Sequence, residues 1–276
     1  MFGRRSRRNP ASVVPLLVVF AVVLFKVSCD SPRPPAPVVH HTAPAPRPSD
    51  PLPIVNPIEQ LLTPPDGAKS DAIAVVLLVD TSGSMVEDVR DKDGGLKPKI
   101  VIARRCTLNL VRQMEQFCAQ NREKKILLGI YEFSGRDSPV MCRQVVPLGA
   151  PSVAASKGAV EAMQPHGSTP IGDAMIAAKQ ALDRTGLKHM HILVVTDGDN
   201  TLGYNPSAVA DFLSRQPAEH QAYFYFVAFD VSAEKFLGIR NAGGTVLSAS
   251  NEAQLQQSLD NLLTGRILAE QPEPPK

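Results

Sequence analysis

Continuous apolar runs alternate with segments of helical hydrophobic spacing over residues 70–266. Runs of this kind are typical of strands covered on both faces, and they occupy 72–79, 191–196, 222–229 and, more briefly, 245–248. Two further strands, joined by a turn-rich segment, are predicted at 125–133 and 140–148. Apolar residues at helical spacing predict helices over 100–117, from 171 to just before 186, over 207–214, and from the cap residue Asn251 onward. This alternation predicts a doubly wound, mostly parallel α/β sheet flanked by helices.

The first residues have the pattern of a membrane-targeting segment. Residues 1–10 carry four arginines, and the largely apolar segment 11–29 follows them. We expect the basic end to stay in the cytoplasm and the rest of the chain to cross the membrane. Three interpretations remain open: an uncleaved signal anchor, a lipoprotein signal acylated at Cys29, or a cleaved signal. The end of the segment is similar to a bacterial lipobox, but Lys26 stands where leucine is usual. All three interpretations place the folded part on the extracytoplasmic side.

Residues 30–69 separate this segment from the predicted domain. Twelve of the 25 prolines lie between 31 and 65. A segment of this composition favours polyproline II and is expected to act as a linker without core residues. The polar, proline-rich end, 267–276, is expected to be a loose tail.

Composition narrows the functional classes. With 43% hydrophobic residues in 276, the chain has enough apolar material for one large domain. A net charge of +2 does not suggest a nucleic-acid partner. Cys106 and Cys118 are expected on one helix, too far apart to pair, whereas Cys142 could pair with either. Buried free thiols are the simpler interpretation.

Three polar motifs are predicted at strand ends or helix starts. Asp80-Thr81-Ser82-Gly83-Ser84 follows the first apolar run directly. Thr169 opens a helix, and Asp197 ends the run 191–196. Ligands of doubly wound sheets bind outside the carboxyl ends of the strands, so one crevice is expected to collect all three motifs.

In this order and spacing, the motifs resemble the metal-ion-dependent adhesion site of the von Willebrand factor type A (VWA) family. The resemblance covers Asp71 to Gly265. It implies that Ser82, Ser84 and Thr169 supply hydroxyl ligands, and that Asp80 and Asp197 act mostly through bound water. Five oxygen ligands without sulfur or imidazole suit Mg²⁺ or Mn²⁺. Such a metal keeps much of its charge, so the resemblance implies a non-enzymatic module that binds an Asp or Glu of a partner protein. The N-terminal segments add the expectation that this module is tethered to the membrane.

Other interpretations of the same residues stay open. The serines and Thr169 could simply cap helices, and a metal could serve only to stabilise the loops. The sequence Asp197-Gly198-Asp199 is similar to the first motif of haloacid-dehalogenase-type phosphatases, although that motif normally lies near the start of its domain. Lys235 is the only later lysine before the terminal one, and no acidic pair follows. Asp173 and Asp199 are expected to be solvated or to support the ligands, and the aspartate-rich segment 88–93 to be an exposed loop.

Overall fold

A computed structural model describes residues 56–62, 70–135 and 141–270. The predictions for the basic segment 1–10 and the anchor 11–29 lie outside these residues, as do those for most of the linker and for the end of the tail. Within the described ranges, no helix combines the length and the apolar character needed to cross a membrane.

The centre of the fold is a six-stranded sheet in the order β5-β4-β1-β6-β7-β8. Its strands are β1 (Ser70–Asp80), β4 (Ile126–Phe133), β5 (Cys142–Gly149), β6 (Leu187–Thr196), β7 (Ala222–Phe229) and β8 (Thr245–Ala249). All neighbouring strands are parallel except β4 and β5. The prediction of a doubly wound, mostly parallel sheet is therefore confirmed. A small antiparallel hairpin, β2 (Asp88–Arg90) with β3 (Leu96–Pro98), lies outside this sheet.

Helices cover both faces of the sheet. They are α1 (Pro57–Leu61), α2 (Lys99–Gln120), α3 (Val153–Glu161), α4 (Ile171–Asp183), α5 (Pro206–Ser214), α6 (Leu237–Asn241) and α7 (Glu252–Leu262). Apolar residues of α1, α4, α5 and α6 share one core with one face of the sheet, whereas those of α2 and α7 share the other. Strand β1 shows the division most clearly, because its successive residues point alternately into the two cores.

Helix α1 corrects the prediction that residues 30–69 form a linker without core residues. Asn56 caps the helix by accepting a hydrogen bond from the Ile58 backbone N–H, and Pro57 occupies the first turn. The side chains of Ile58 and Leu62 are buried in the core shared with α4 and α5. Burial of these two aliphatic side chains offsets part of the entropic cost of ordering this short segment.

The prediction of a loose tail over 267–276 places its start too early in the chain. A π-helical turn, Leu263–Ile267, continues α7, and Ile267 is fully buried. Glu270 is fixed by contacts of its Oε2 with His189 Nδ1 at 2.9 Å and His191 Nε2 at 3.2 Å. The packed part of the chain therefore extends to residue 270, and the rest of the predicted tail, 271–276, lies outside the described residues.

The three cysteines of the described residues are all free. Cys106 is buried in the core on the α2 side of the sheet, and Cys118 packs against the same core. Cys142 packs against the core on the opposite side. The sheet separates Cys142 from the other two, which leaves free thiols as the correct alternative. Burial raises the pKa values of Cys106 and Cys142 to about 12.

Candidate metal centre

The polar motifs lie where the two central strands end. Strand β1 pairs with β4 on one side and β6 on the other, and the register places Val79 beside Val195. Asp80 and Asp197 therefore leave neighbouring strands at the same edge. From β1 the chain continues to β4 on one side, whereas β6 pairs with the other side of β1. In a parallel sheet, a reversal of strand order of this kind leaves a crevice at the carboxyl ends of the strands.

Asp80 is fully buried, and both of its carboxylate oxygens are engaged. Oδ1 accepts a hydrogen bond of 2.7 Å from the Ser82 backbone N–H, and Oδ2 accepts one of 2.5 Å from the Thr196 hydroxyl. Burial raises the pKa of this carboxyl to about 6, although these hydrogen bonds act in the opposite direction and Asp197 adds to the increase. Asp80 thus orients the turn that carries the two serines.

Ser82, Ser84 and Asp197 form a continuous hydrogen-bonded row. The hydroxyl oxygens of the two serines are 3.2 Å apart, and the Ser84 hydroxyl donates to Asp197 Oδ1 over 2.7 Å. A short 3₁₀ turn, Gly83–Val86, holds the serines in place, and neither hydroxyl caps it. The helix-capping interpretation is therefore not supported for these serines.

Thr169 reaches the same crevice from the loop before α4. The Gly83 backbone N–H donates to the Gly167 carbonyl at 2.9 Å, which ties this loop to the serine turn. The backbone N–H of Thr169 donates to the Thr201 hydroxyl at 2.8 Å. A Cβ at Gly198 would lie 3.7 Å from Thr169 Oγ1 and 3.9 Å from Ser84 Oγ. The hydroxyls of Thr169 and Ser84 therefore both lie beside Gly198.

The donor set fits a hard divalent cation. The structure brings together three hydroxyls and two carboxylates, which are the oxygen ligands that Mg²⁺ and Mn²⁺ prefer. In the described part of the chain, no group of three or more His, Cys, Asp or Glu residues could hold a metal ion. A metal bound here would therefore depend on the serine and threonine hydroxyls.

Sequence reasoning missed a buried lysine beside the crevice. Lys99 begins α2, and its ammonium contacts the carboxylates of Glu87, Asp197 and Asp230 at 2.8, 3.1 and 3.1 Å. Burial alone would lower the pKa of Lys99, but these carboxylates raise it above its ordinary value. The sequence offers little indication of this burial, because a lysine directly after a proline, at the start of a helix, is ordinarily solvated.

The neighbouring aspartates have separate roles. Asp173 accepts a hydrogen bond from the Tyr204 backbone N–H at 2.8 Å and so holds the loop after β6. Asp199 is 58% exposed and pairs with Lys235 at 2.7 Å. Asp91 accepts hydrogen bonds from the backbone N–H groups of Asp93 and Gly95, which shapes the β2–β3 turn rather than a cation loop.

A family model for the von Willebrand factor type A domain matches residues 75–200. The match contains all three motifs, the whole of β6 and the part of β1 that leads to Asp80. The chain contains a VWA domain. No curated protein matches this sequence.

Solved structures share the VWA fold at low sequence identity. The von Willebrand factor domain of the type V pili tip protein Mfa5 from Porphyromonas gingivalis is 11% identical with a TM-score of 0.56, covering 75% of this chain and 99% of that one. The PilB minor pilin from Streptococcus sanguinis is 16% identical with a TM-score of 0.54, covering 72% and 62%. A von Willebrand factor type A protein from Catenulispora acidiphila is 18% identical with a TM-score of 0.54, covering 70% and 42%. The chain thus spans less than two thirds of the length of the latter two.

Proposed function

We propose that this VWA domain binds one Mg²⁺ or Mn²⁺ through Asp80, Ser82, Ser84, Thr169 and Asp197, and uses it to bind a partner protein. The observation that carries the proposal is the row of oxygen atoms from Ser82 through Ser84 to Asp197, with the Thr169 hydroxyl beside the same Gly198 as that of Ser84. A bound metal would supply a positive charge that attracts an Asp or Glu carboxylate of the partner.

The surroundings of the site favour binding over catalysis. The phosphatase alternative assigns the acid role to Asp199, but that carboxylate is exposed and paired with Lys235. The nucleophile in that alternative is Asp197, whose Oδ1 accepts from the Ser84 hydroxyl and whose Oδ2 accepts from the Lys99 ammonium, which suits a structural or ligand role rather than nucleophilic attack. We therefore propose a non-enzymatic interaction module.

The setting of the domain is proposed from the sequence and from the fold neighbours together. Two of the similar structures come from pilus proteins. The basic segment 1–10 and the apolar segment 11–29 are consistent with a domain held at the membrane on the extracytoplasmic side. We propose that the domain is tethered there and takes part in adhesion or envelope assembly.

Metal titration of the full-length protein in detergent tests the site. Metal at about 100 times its Kd should stabilise the native state by about 2.7 kcal/mol. This corresponds to a rise in Tm of roughly 5–10 °C for a domain of this size, measured by circular dichroism. Asp80→Asn should abolish the rise, and Thr169→Val should reduce it, because water can replace one neutral ligand. Asp199→Asn, which alters an exposed carboxylate two residues from Asp197, is the matched control and should keep the full rise.

The absence of any saturable heat and any change in Tm with millimolar Mg²⁺ or Mn²⁺ would refute the metal site. The partner hypothesis needs a second measurement, a pull-down from envelope extract in Mg²⁺ and in EDTA. Proteins captured by wild type in Mg²⁺ should be lost in EDTA and with Asp80→Asn. Capture that is unchanged in EDTA would instead support a purely structural metal.

A further inference from the structure

Lys99 is held at the edge of the proposed metal site by three separate segments. Its side chain is 3% exposed, and its ammonium contacts Glu87 from the segment after the serine turn, Asp197 after β6, and Asp230 after β7. Its own backbone N–H donates to the Glu87 carbonyl at 2.8 Å. The positive charge is therefore fixed in place, unlike that of a mobile surface lysine.

The Asp197 carboxylate and the Asp230 backbone are held by further contacts. Asp197 shares its two oxygens between the site and the lysine, since Oδ1 accepts from Ser84 and Oδ2 accepts from Lys99. Asp230 has a left-handed backbone with a φ of 57° and donates its N–H to the Ala249 carbonyl at 2.6 Å. Asp197, one of the proposed metal ligands, is thus already paired with a cationic side chain of the protein, Lys99.

We propose that Lys99 is a built-in counter-ion that keeps the site ordered without metal and lowers its affinity for divalent cations. The inference rests on the metal site proposed above. A divalent ion held near Asp197 is repelled by the ammonium, and this repulsion is weakly screened because Lys99 is buried. Without metal, the same ammonium offsets the repulsion among the carboxylates around it. The lysine therefore raises the metal concentration at which the site becomes occupied.

The test compares wild type with four variants of the full-length protein by calorimetric titration with Mn²⁺ and by Tm in EDTA and in saturating Mn²⁺. Lys99→Met removes the charge and keeps the length of the side chain. We expect its Kd for Mn²⁺ to fall by about tenfold or more. We also expect its Tm to drop in EDTA and to recover toward wild type in Mn²⁺. Lys99→Arg retains the charge and should stay within about threefold of the wild-type Kd.

Lys235→Met is the matched control, because it removes an exposed lysine paired with Asp199 in the adjacent loop. Its Kd for Mn²⁺ should equal that of wild type, since exposed pairs are screened. Lys99→Gln keeps a hydrogen-bond donor without the charge and must show the same tighter binding. If Lys99→Met does not fold, Lys99→Gln provides the test of the counter-ion role.

A purely structural role predicts a different pattern. Lys99→Met and Lys99→Gln would then lower Tm equally in EDTA and in Mn²⁺, with an unchanged Kd, and this result would overturn the counter-ion role while leaving the metal site intact. Weaker Mn²⁺ binding by both variants would also overturn it. The wild-type titration alone tests the metal site. Absence of Mn²⁺ binding by wild type would refute the metal site and, with it, the counter-ion role.

Discussion

Leu62 provides a direct measure of how strongly the segment before β1 belongs to the domain. Its side chain is 1% exposed and packs in the core shared by α1, α4 and α5, whereas the adjacent Leu61 is 40% exposed. Leu62→Ala removes three carbons from this core. At about 0.8 kcal/mol for each buried methylene-sized group, the transfer loss is roughly 2.4 kcal/mol.

The cavity left by this substitution adds less to the stability loss than a cavity in the centre of a core would add. Leu62 borders a surface cleft lined by Phe212 and Pro217, so neighbouring groups and water can fill the space. We therefore expect Leu62→Ala to lower the free energy of unfolding by about 2–3 kcal/mol, near the lower end for buried leucines. The corresponding decrease in Tm is roughly 4–12 °C.

Urea denaturation of the full-length protein, followed by circular dichroism, checks this value. The midpoint for Leu62→Ala should fall by about 1 M with an unchanged slope. Leu61→Ala is the control on the same helix, and it should change the stability by less than about 1 kcal/mol. Equal stability losses for the two variants would refute the packing of α1. Residues 56–62 would then belong to the linker, as the sequence predicted.

Two further predictions concern the glycines and the thiols. Gly172→Ala should lower the free energy of unfolding by more than about 2 kcal/mol, because its Cβ would lie 2.1 Å from the Tyr204 carbonyl oxygen. Gly158 lies in open space on α3, so Gly158→Ala should instead stabilise the protein by about 0.5–1 kcal/mol. Thermal unfolding of both variants checks the difference in sign. With a pKa of about 12, Cys106 should be roughly 10⁻⁴ thiolate at pH 8 and should resist alkylation until the protein unfolds, whereas the half-exposed Cys118 reacts first. Mass spectrometry of alkylated peptides tests this order, and rapid modification of Cys106 in the native protein would contradict the burial.

The strands that sequence reasoning predicted were those with a strong local signal. The run 72–79 is apolar at every position, and it became β1, buried from Ala72 to Asp80. Helix α3 was missed because only Ser156 and Val160 are buried along it, which leaves too little hydrophobic periodicity to detect. Asn56-Pro57 carried a local signal for α1, a cap residue followed by proline in the first turn, but the surrounding prolines obscured it.

The metal-site residues could be predicted because each motif is contiguous and ends a recognisable strand or opens a helix. Lys99 could not, since its contacts with Asp197 and Asp230 join residues about 100 or more positions apart. Their proximity depends on how β6 and β7 align beside the start of α2. Information of that kind exists only in the tertiary structure.

The position of β1 determines how the domain would carry a mechanical load. The chain enters β1 at Ser70 and reaches the proposed site at Asp80, at the other end of the same strand. A pull between the amino end of the chain and a partner at the site would run along β1, which is hydrogen-bonded to β4 and β6 on its two sides. Such a pull shears both ladders at once instead of opening them one bond at a time. Helix α1, held by two buried side chains and the side-chain amides of Gln180 and Gln216, would detach first and release slack before the sheet bears the force.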